Sequence, residues 1–260
     1  MKNYDTLFFD LDGTLAESKR AINAEMAETL SHASQSLRIV IITGGILKQI
    51  RTQVIDNLLK DAQLENVYIM PTSGSSMYRY NKVNQVWDMV YEHVLTQKQK
   101  DLIISSLRHT LDNQVSFTIS PDELIGEQIE DRETQITLSA LGQQQPIEVK
   151  QNWDPDQRKR RELVGFLNHL KDDFDIKIGG TTSVDITLKG IDKAFGINEF
   201  YKHTGFDINK GLFIGDQIIP GGNDYAATKT VIETYNTSGP EETMTLINRI
   251  LEDGIKDVVS

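Results

Sequence analysis

Four short apolar runs in this chain stop abruptly at a glycine, a proline or a polar side chain, and this pattern constrains the fold more than any other feature. Thr6 to Phe9 meets Asp10, Arg38 to Ile42 meets Thr43-Gly44-Gly45, Val67 to Met70 meets Pro71-Thr72-Ser73-Gly74, and Leu212 to Ile214 meets Gly215-Asp216. Near-continuous apolarity over so few residues suits strands buried on both faces, as in a parallel sheet covered by helices. After Gly45, residues Ile46, Leu47, Ile50, Val54, Ile55, Leu58 and Leu59 recur at helical spacing, and Thr230 to Ile232 reads as a further strand. Strands alternating with helices predict an α/β domain with a mainly parallel sheet.

The middle of the chain follows another rhythm. Gln97 to Leu111 is a helical stretch with Leu102, Ile103, Ile104, Leu107 and Leu111 on its apolar side, and Gln128 to Leu141 alternates like a strand. Arg158 to Leu170 is again helical, and Ile176 to Ile178 and Val184 to Leu188 read as strands joined by the turn Gly179-Gly180-Thr181-Thr182. The order helix, strands, helix, strands predicts a separate α+β module inserted into the α/β domain. The expected boundaries are 91–187 for the insert and 1–90 with 188–260 for the core. A length of 260 residues accommodates both, each with a core of its own.

Charge and composition exclude several function classes. The 27 Lys and Arg face 38 Asp and Glu, a formal charge of −11 that repels a phosphate backbone, so no nucleic-acid partner is expected. No cysteine is present, which removes disulfides, thiolate-bound zinc and every thiol nucleophile. Asp5, Asp10 and Asp12 interrupt the stretch where a secretory signal would be apolar, and the Ile39 to Ile42 run is far short of the roughly 20 residues of a membrane span. A cytoplasmic protein without membrane association is expected.

Four segments carry residues able to do chemistry. Asp10-Leu11-Asp12-Gly13-Thr14 follows a buried strand, and a two-residue spacing directs both carboxylates to one side of an extended chain. Asp-Gly is equally a common surface turn. A calcium loop is excluded, because the glycine and glutamate such a loop needs are replaced by Leu15 and Ala21. Thr43 precedes Gly44 and Gly45, whose backbone N–H groups can approach an anion closely, although Thr-Gly is also a common helix entry. Lys193 stands at the predicted start of a helix, where the dipole gives a cation no reason to sit, so that an anionic ligand is one reading and a solvated surface lysine the other. Asp216, Asn223 and Asp224 in the loop after Leu212 to Ile214 offer hard oxygen ligands of the kind Mg²⁺ prefers, within a segment rich in Gly and Pro. His32, His93, His109, His169 and His203 show no mutual spacing, and Trp87 and Trp153 read as packing residues rather than sugar platforms.

Taken together, an acid pair, a threonine, a lysine and a second acid cluster, in that order, match what phosphoryl transfer through an aspartyl phosphate requires. FFDLDGT, IITGG, the lysine of DKAFGI and FIGDQIIPGGND resemble the four motifs of the haloacid dehalogenase (HAD) superfamily. The long last motif, IKIGGTTSVDI and GPEETMTLI are similar to the eukaryote-type phosphomannomutases. The resemblance implies a Rossmann-like HAD core with an inserted α+β cap of type IIB, which governs substrate specificity. It implies Asp10 as nucleophile and Asp12 as acid/base, with Thr43, Gly44 and Lys193 binding the transferring phosphoryl group. Mg²⁺ would be held by Asp10, the backbone carbonyl of Asp12 and Asp216, with Asn223 and Asp224 in support. The expected substrate is a phosphorylated sugar, and a homodimer through the cap is a further implication.

Three functions fit this inventory: a sugar-phosphate phosphatase, a hexose phosphomutase of the phosphomannomutase kind, and a receiver-type signalling module. The last is disfavoured by the chain's length, its insert, and the position of Lys193 before the final acid cluster. The resemblance implies that a mutase cap clamps a distal phosphate with several arginines. Here the corresponding segment keeps Arg132 but carries Gln143 where a second is expected, with Lys150 at a third place. That neutral substitution favours hydrolysis over transfer.

Overall fold

The computed structural model describes residues 4–259, with side chains to residue 253. In chain order the elements are β1 (Thr6–Phe9), α1 (Ala24–Ala33), β2 (Arg38–Ile42), α2 (Leu47–Gln53), β3 (Val67–Met70), β4 (Ser76–Asn81) and β5 (Val86–Glu92). Then come α3 (Gln97–Asn113), β6 (Ile129–Asp131), β7 (Gln135–Ser139), α4 (Ile147–Trp153), α5 (Arg158–Phe166), β8 (Phe174–Gly179) and β9 (Ser183–Leu188). The chain closes with α6 (Lys193–Thr204), β10 (Gly211–Gly215), β11 (Glu233–Asn236) and α7 (Pro240–Val259). It divides into two compact units, Met1–Glu92 with Asp192–Ser260, and His93–Ile191. The breaks fall just outside β5 and β9, whose hydrogen-bonded strands extend past residues 91 and 187.

The first unit is built on a seven-stranded sheet of order β11-β10-β1-β2-β3-β4-β5. Strands β11, β10, β1, β2 and β3 run parallel, while β4 and β5 form an antiparallel hairpin at the edge. Alternation along each strand feeds two cores. Leu7, Phe9, Ile39 and Ile41 face a cluster that includes Met26 and Leu30 of α1 and Ile247 and Ile250 of α7. Phe8, Val40 and Ile42 face the opposite cluster with Ile197 and Phe200 of α6. A fully buried Leu, Ile or Phe contributes about 1.5–3 kcal/mol, so these paired layers are the main source of the sheet's stability. Asn23 caps α1 by accepting a hydrogen bond from the Met26 N–H at 2.8 Å.

Two local expectations shift, and one element has no counterpart in the sequence pattern. The helical pattern of Ile46 to Leu59 is broken at Val54 (φ −122°, ψ −62°), and a single tighter turn, Ile55–Asn57, follows α2. Thr230 to Ile232 is not the last strand: the register pairs Leu212 with Glu233, so β11 takes the polar residues immediately after that run. The β4–β5 hairpin is invisible in the sequence pattern, because its turn, with Gln85 at φ 55°, lacks an Asn-Gly signal.

The second unit carries a four-stranded antiparallel sheet of order β6-β7-β9-β8. The Gln128 to Leu141 stretch forms the two strands β6 and β7, turning at Glu133 (φ 62°). One face is apolar, with Ile136, Leu138, Val184 and Ile186 packed with Ile103 and Leu107 of α3 and Leu163 of α5. The other face is polar. Glu130, Thr137, Asp185 and Lys177 stand in one cross-strand row, and Gln135 pairs with Thr187 and Ser139 with Ser183. Among the described residues no helix is long and apolar enough to cross a membrane.

A buried ion pair ties this unit's loops together. The Arg160 guanidinium donates to Asp154 Oδ2 at 2.8 Å and to the carbonyls of Gly179 and Gly180 at 3.0 and 2.9 Å, fixing the β8–β9 turn. Arg160→Leu strands the buried Asp154 carboxylate and both carbonyls. The expected loss is about 3–5 kcal/mol, read as a drop in the urea midpoint of the full chain.

Candidate active site

The three central strands end side by side, and the residues that follow them meet. Asp10 leaves β1 with its N–H donated to the Ile214 carbonyl of β10 at 3.0 Å. Thr43 leaves β2 with its N–H on the Met70 carbonyl at 3.2 Å, and its own carbonyl accepts from the Ser73 N–H at 2.8 Å. Asp216 and Asp224 belong to the loop after β10. In an open parallel sheet the loops at the carboxyl ends of adjacent strands are where a ligand is gathered, and this site follows that rule.

Lys193, the first residue of α6, is buried to 1% exposure, with Asp10 at 2% and Asp224 at 0%. Its Nζ donates to Asp10 Oδ1 at 2.5 Å and also bonds Asp224 Oδ1. Asp224 Oδ2 accepts from the Gln217 N–H at 3.0 Å. Burial pushes the Asp10 carboxyl up to about 7, against the opposing pull of Lys193 and with the help of the neighbouring Asp224. For Lys193 burial acts downward, but Asp10 and Asp224 outweigh it and the ammonium is held above its ordinary value.

Asp10, Asp216 and Asp224 each offer a carboxylate oxygen, all lying within 4.8 Å of one another. A purely oxygen donor set of this density fits a hard divalent cation. Asn223 is exposed on the same loop. Asp12 differs from Asp10 despite sitting two residues away. It is half-buried, its Oδ1 accepts from the Lys19 N–H at 2.7 Å, and its Oδ2 accepts from Gln49 Nε2 at 3.3 Å. The Thr43 hydroxyl is buried and accepts from the Gly45 N–H at 3.3 Å, and Gly44 has open space where a side chain would stand.

Sequence reasoning missed what brings Lys193 into place. A Cβ on Gly74 would lie 2.5 Å from the Cα of Gly196, and one on Gly196 would lie 2.6 Å from Ile42 Cδ1. The turn after β3 and the first turn of α6 therefore touch backbone to backbone. A lone glycine inside the helical pattern of DKAFGI is the signal that could have revealed it.

Arg132 belongs to the inserted unit, where its Nε donates to Glu130 Oε2 at 2.5 Å. Lys150 is buried and its Nζ donates to the Gln143 carbonyl at 2.6 Å. Asp185, also missed, accepts from Thr137 Oγ1 at 2.8 Å and Gln135 Nε2 at 2.9 Å, and burial raises its carboxyl above the ordinary range. Its signal was the polar alternation Ser183, Asp185, Thr187. The tryptophans pack on aromatic neighbours, Trp87 on Tyr80 and Trp153 on Phe117.

Solved structures share the fold, a mainly parallel sheet covered by helices with a second, α+β unit inserted. A haloacid dehalogenase-like hydrolase from Bacteroides thetaiotaomicron superposes with a TM-score of 0.63 at 16% identity, covering 96% of this chain and 99% of that one. The N-terminally truncated, IMP-bound IMP-nucleotidase of Plasmodium falciparum gives a TM-score of 0.65 at 18% identity, over 96% of this chain and 69% of that one. At sequence level, the model of the eukaryotic phosphomannomutase family matches residues 26–253, and the chain belongs to that family. A probable phosphomannomutase of Caenorhabditis elegans is 28% identical over 95% of each chain. Phosphomannomutase 2 of Dictyostelium discoideum is 25% identical over 95% of this chain and 97% of its own. Membership of an enzyme family removes the receiver-type reading.

Lys193 separates two buried carboxylates, so Lys193→Met should cost about 3 kcal/mol or more in chelated buffer by leaving them unpaired. Millimolar Mg²⁺ should restore part of that loss. Chemical denaturation with EDTA and with Mg²⁺ checks both statements.

Proposed function

We propose that the protein is a hexose phosphomutase working through a phosphorylated Asp10. The observation that carries this reading is the convergence of Asp10, Thr43, Lys193, Asp216 and Asp224 at adjacent strand ends in a chain of the phosphomannomutase family. Hydrolysis, which the sequence analysis favours, takes second place because the relatives at 25–28% identity are named for transfer rather than for phosphate release.

In the first half-reaction an Asp10 carboxylate oxygen attacks phosphorus, the P–O bond to the hexose breaks, and Asp12 gives its proton to the departing oxygen. Lys193 and the N–H groups around Thr43 and Gly44 neutralise charge on the phosphoryl oxygens. In the second half-reaction a hexose hydroxyl attacks the phosphoaspartate while Asp12 takes the hydroxyl proton, and Asp10 is regenerated. Asp10, the Asp12 carbonyl and Asp216 would hold Mg²⁺, with Asn223 and Asp224 in support. When bound, that ion supplies positive charge against the repulsion between carboxylate and phosphate.

Asp10→Asn should abolish turnover while leaving the unfolding transition in place, since the amide is nearly isosteric and a poor nucleophile. Asp12→Ala should lower it by about 10²- to 10⁴-fold, the usual worth of a positioned acid. Conversion of mannose 1-phosphate to mannose 6-phosphate in the presence of catalytic glucose 1,6-bisphosphate measures both.

Hydrolysis keeps one observation of its own. Gln143 brings no charge, and the Lys150 ammonium donates to its backbone carbonyl, so the inserted unit has fewer free cations for a distal phosphate. Phosphorus NMR with mannose 1-phosphate and catalytic glucose 1,6-bisphosphate separates the outcomes. A mutase accumulates mannose 6-phosphate faster than inorganic phosphate, and the reverse order establishes the phosphatase.

A further inference from the structure

Gln49 has no role in the reaction as described so far, yet its side-chain NH2 group bonds two acceptors. It lies on α2, one turn into the helix that follows Gly45. One Nε2 hydrogen goes to Asp12 Oδ2 at 3.3 Å and the other to Gln53 Oε1 at 3.0 Å. Gln53 is itself buried at 7% exposure, and its backbone carbonyl accepts from the Ile22 N–H at 2.9 Å. The amide oxygen of Gln49 sits where a Cβ on Gly45 would stand, only 2.2 Å from that ideal position. Gly45 is not needed for an unusual backbone angle, because its φ is not in the left-handed region. Space for the Gln49 amide is the physical reason for a glycine there.

The two oxygens of Asp12 therefore have one fixed donor each, the Lys19 N–H on Oδ1 and Gln49 Nε2 on Oδ2. Two donors on opposite oxygens define the plane of a carboxyl group. A single donor leaves it free to rotate about the Cβ–Cγ bond, whose torsional preference is broad. Lys19 holds its position through a left-handed backbone conformation (φ 60°), and Gln49 through a helix and a buried neighbour, so the anchors come from separate segments.

We propose that Gln49 is a positioning residue: it locks the Asp12 carboxyl in the orientation needed to hand its proton to the leaving hexose oxygen. The inference rests on the reading of Asp12 as the acid of the first half-reaction. Proton transfer needs a heavy-atom separation of about 2.6–3.2 Å, and a misplacement of about 1 Å costs on the order of 10²-fold. The Gln49 side chain bonds Asp12 and Gln53 and none of the groups assigned to the phosphoryl oxygens, so its removal should act on the proton-transfer step and leave phosphate binding alone.

The test compares leaving groups that do and do not need a proton. Single-turnover release of mannose from mannose 1-phosphate requires the acid, whereas the burst of p-nitrophenolate from p-nitrophenyl phosphate does not. Gln49→Leu should slow the mannose reaction by about 10- to 100-fold with KM within threefold of the parent, and change the nitrophenolate burst by less than threefold. Gly45→Ala, which displaces the same amide, should reproduce the pattern in weaker form. Gln49→Glu, which replaces the donor by an acceptor facing the carboxylate, should be no better than Gln49→Leu. Equal losses on both substrates, or no loss on mannose 1-phosphate, overturn the inference. Asp12→Ala run alongside tells which statement has failed. If Asp12→Ala discriminates between the leaving groups and Gln49→Leu does not, the positioning role alone is wrong. If neither discriminates, the acid role of Asp12 falls and the inference falls with it.

Discussion

Everything in the first unit is arranged around one ammonium group placed between two buried carboxylates. Removing Lys193, Asp10 and Asp224 from water carries a large desolvation cost, which is bearable only when the charges meet at hydrogen-bond distance and the remaining oxygens find donors. Asp224 meets the second condition through the Gln217 N–H. The first condition reaches further. α6 must run close enough to the sheet for a lysine at its first position to reach the end of β1, and the backbone contact of Gly74 with Gly196 permits that approach. Asp192 caps the same helix start, accepting from the Phe195 N–H at 3.0 Å, so the position of the lysine follows from that of the helix.

Around that centre, two aspartates separated by a single residue have different surroundings. Asp10 is sealed from solvent beside a cation, and Asp12 is half-buried against neutral donors. On the proposed reading Lys193 works against the effect of burial and favours the ionised Asp10 that a nucleophile needs, while two fixed donors set the orientation of Asp12. The division arises because β1 ends at Asp10 and the chain then turns, with the Leu15 N–H donating to the Leu11 carbonyl at 3.0 Å, so the second carboxyl leaves the buried layer.

The inserted unit solves another problem with the simplest rule of sheets. Its strands alternate between an apolar face that packs on α3 and α5 and a polar face bearing Glu130, Thr137, Asp185 and Lys177 in a single row. On this face the buried Thr137 and Gln135 both donate to Asp185. A satisfied polar network of this kind rigidifies the face that carries it. Arg132, just past the end of β6, is held by Glu130 of that strand, and the buried Lys150 is anchored on a backbone carbonyl.

The sequence by itself determined the α/β plan, and it pointed to an inserted module and to Asp10, Thr43, Lys193, Asp216 and Asp224 as candidates, because apolar runs that end in glycine and acid residues are local signals. It marked the insert's outer limits only to within the ends of β5 and β9, since a strand's last residues are set by its partner. It did not locate the turn at Glu133 inside the Gln128 to Leu141 stretch, and it placed the last strand of the core on Thr230 to Ile232, three residues before the strand that begins at Glu233. Only the tertiary structure decided that Lys193 lies between Asp10 and Asp224, that Gly74 meets Gly196, and that Gln49 reaches Asp12. Each of those contacts joins residues distant in the chain. Their partners are chosen by the packing of helix on sheet, which no pattern within one segment contains.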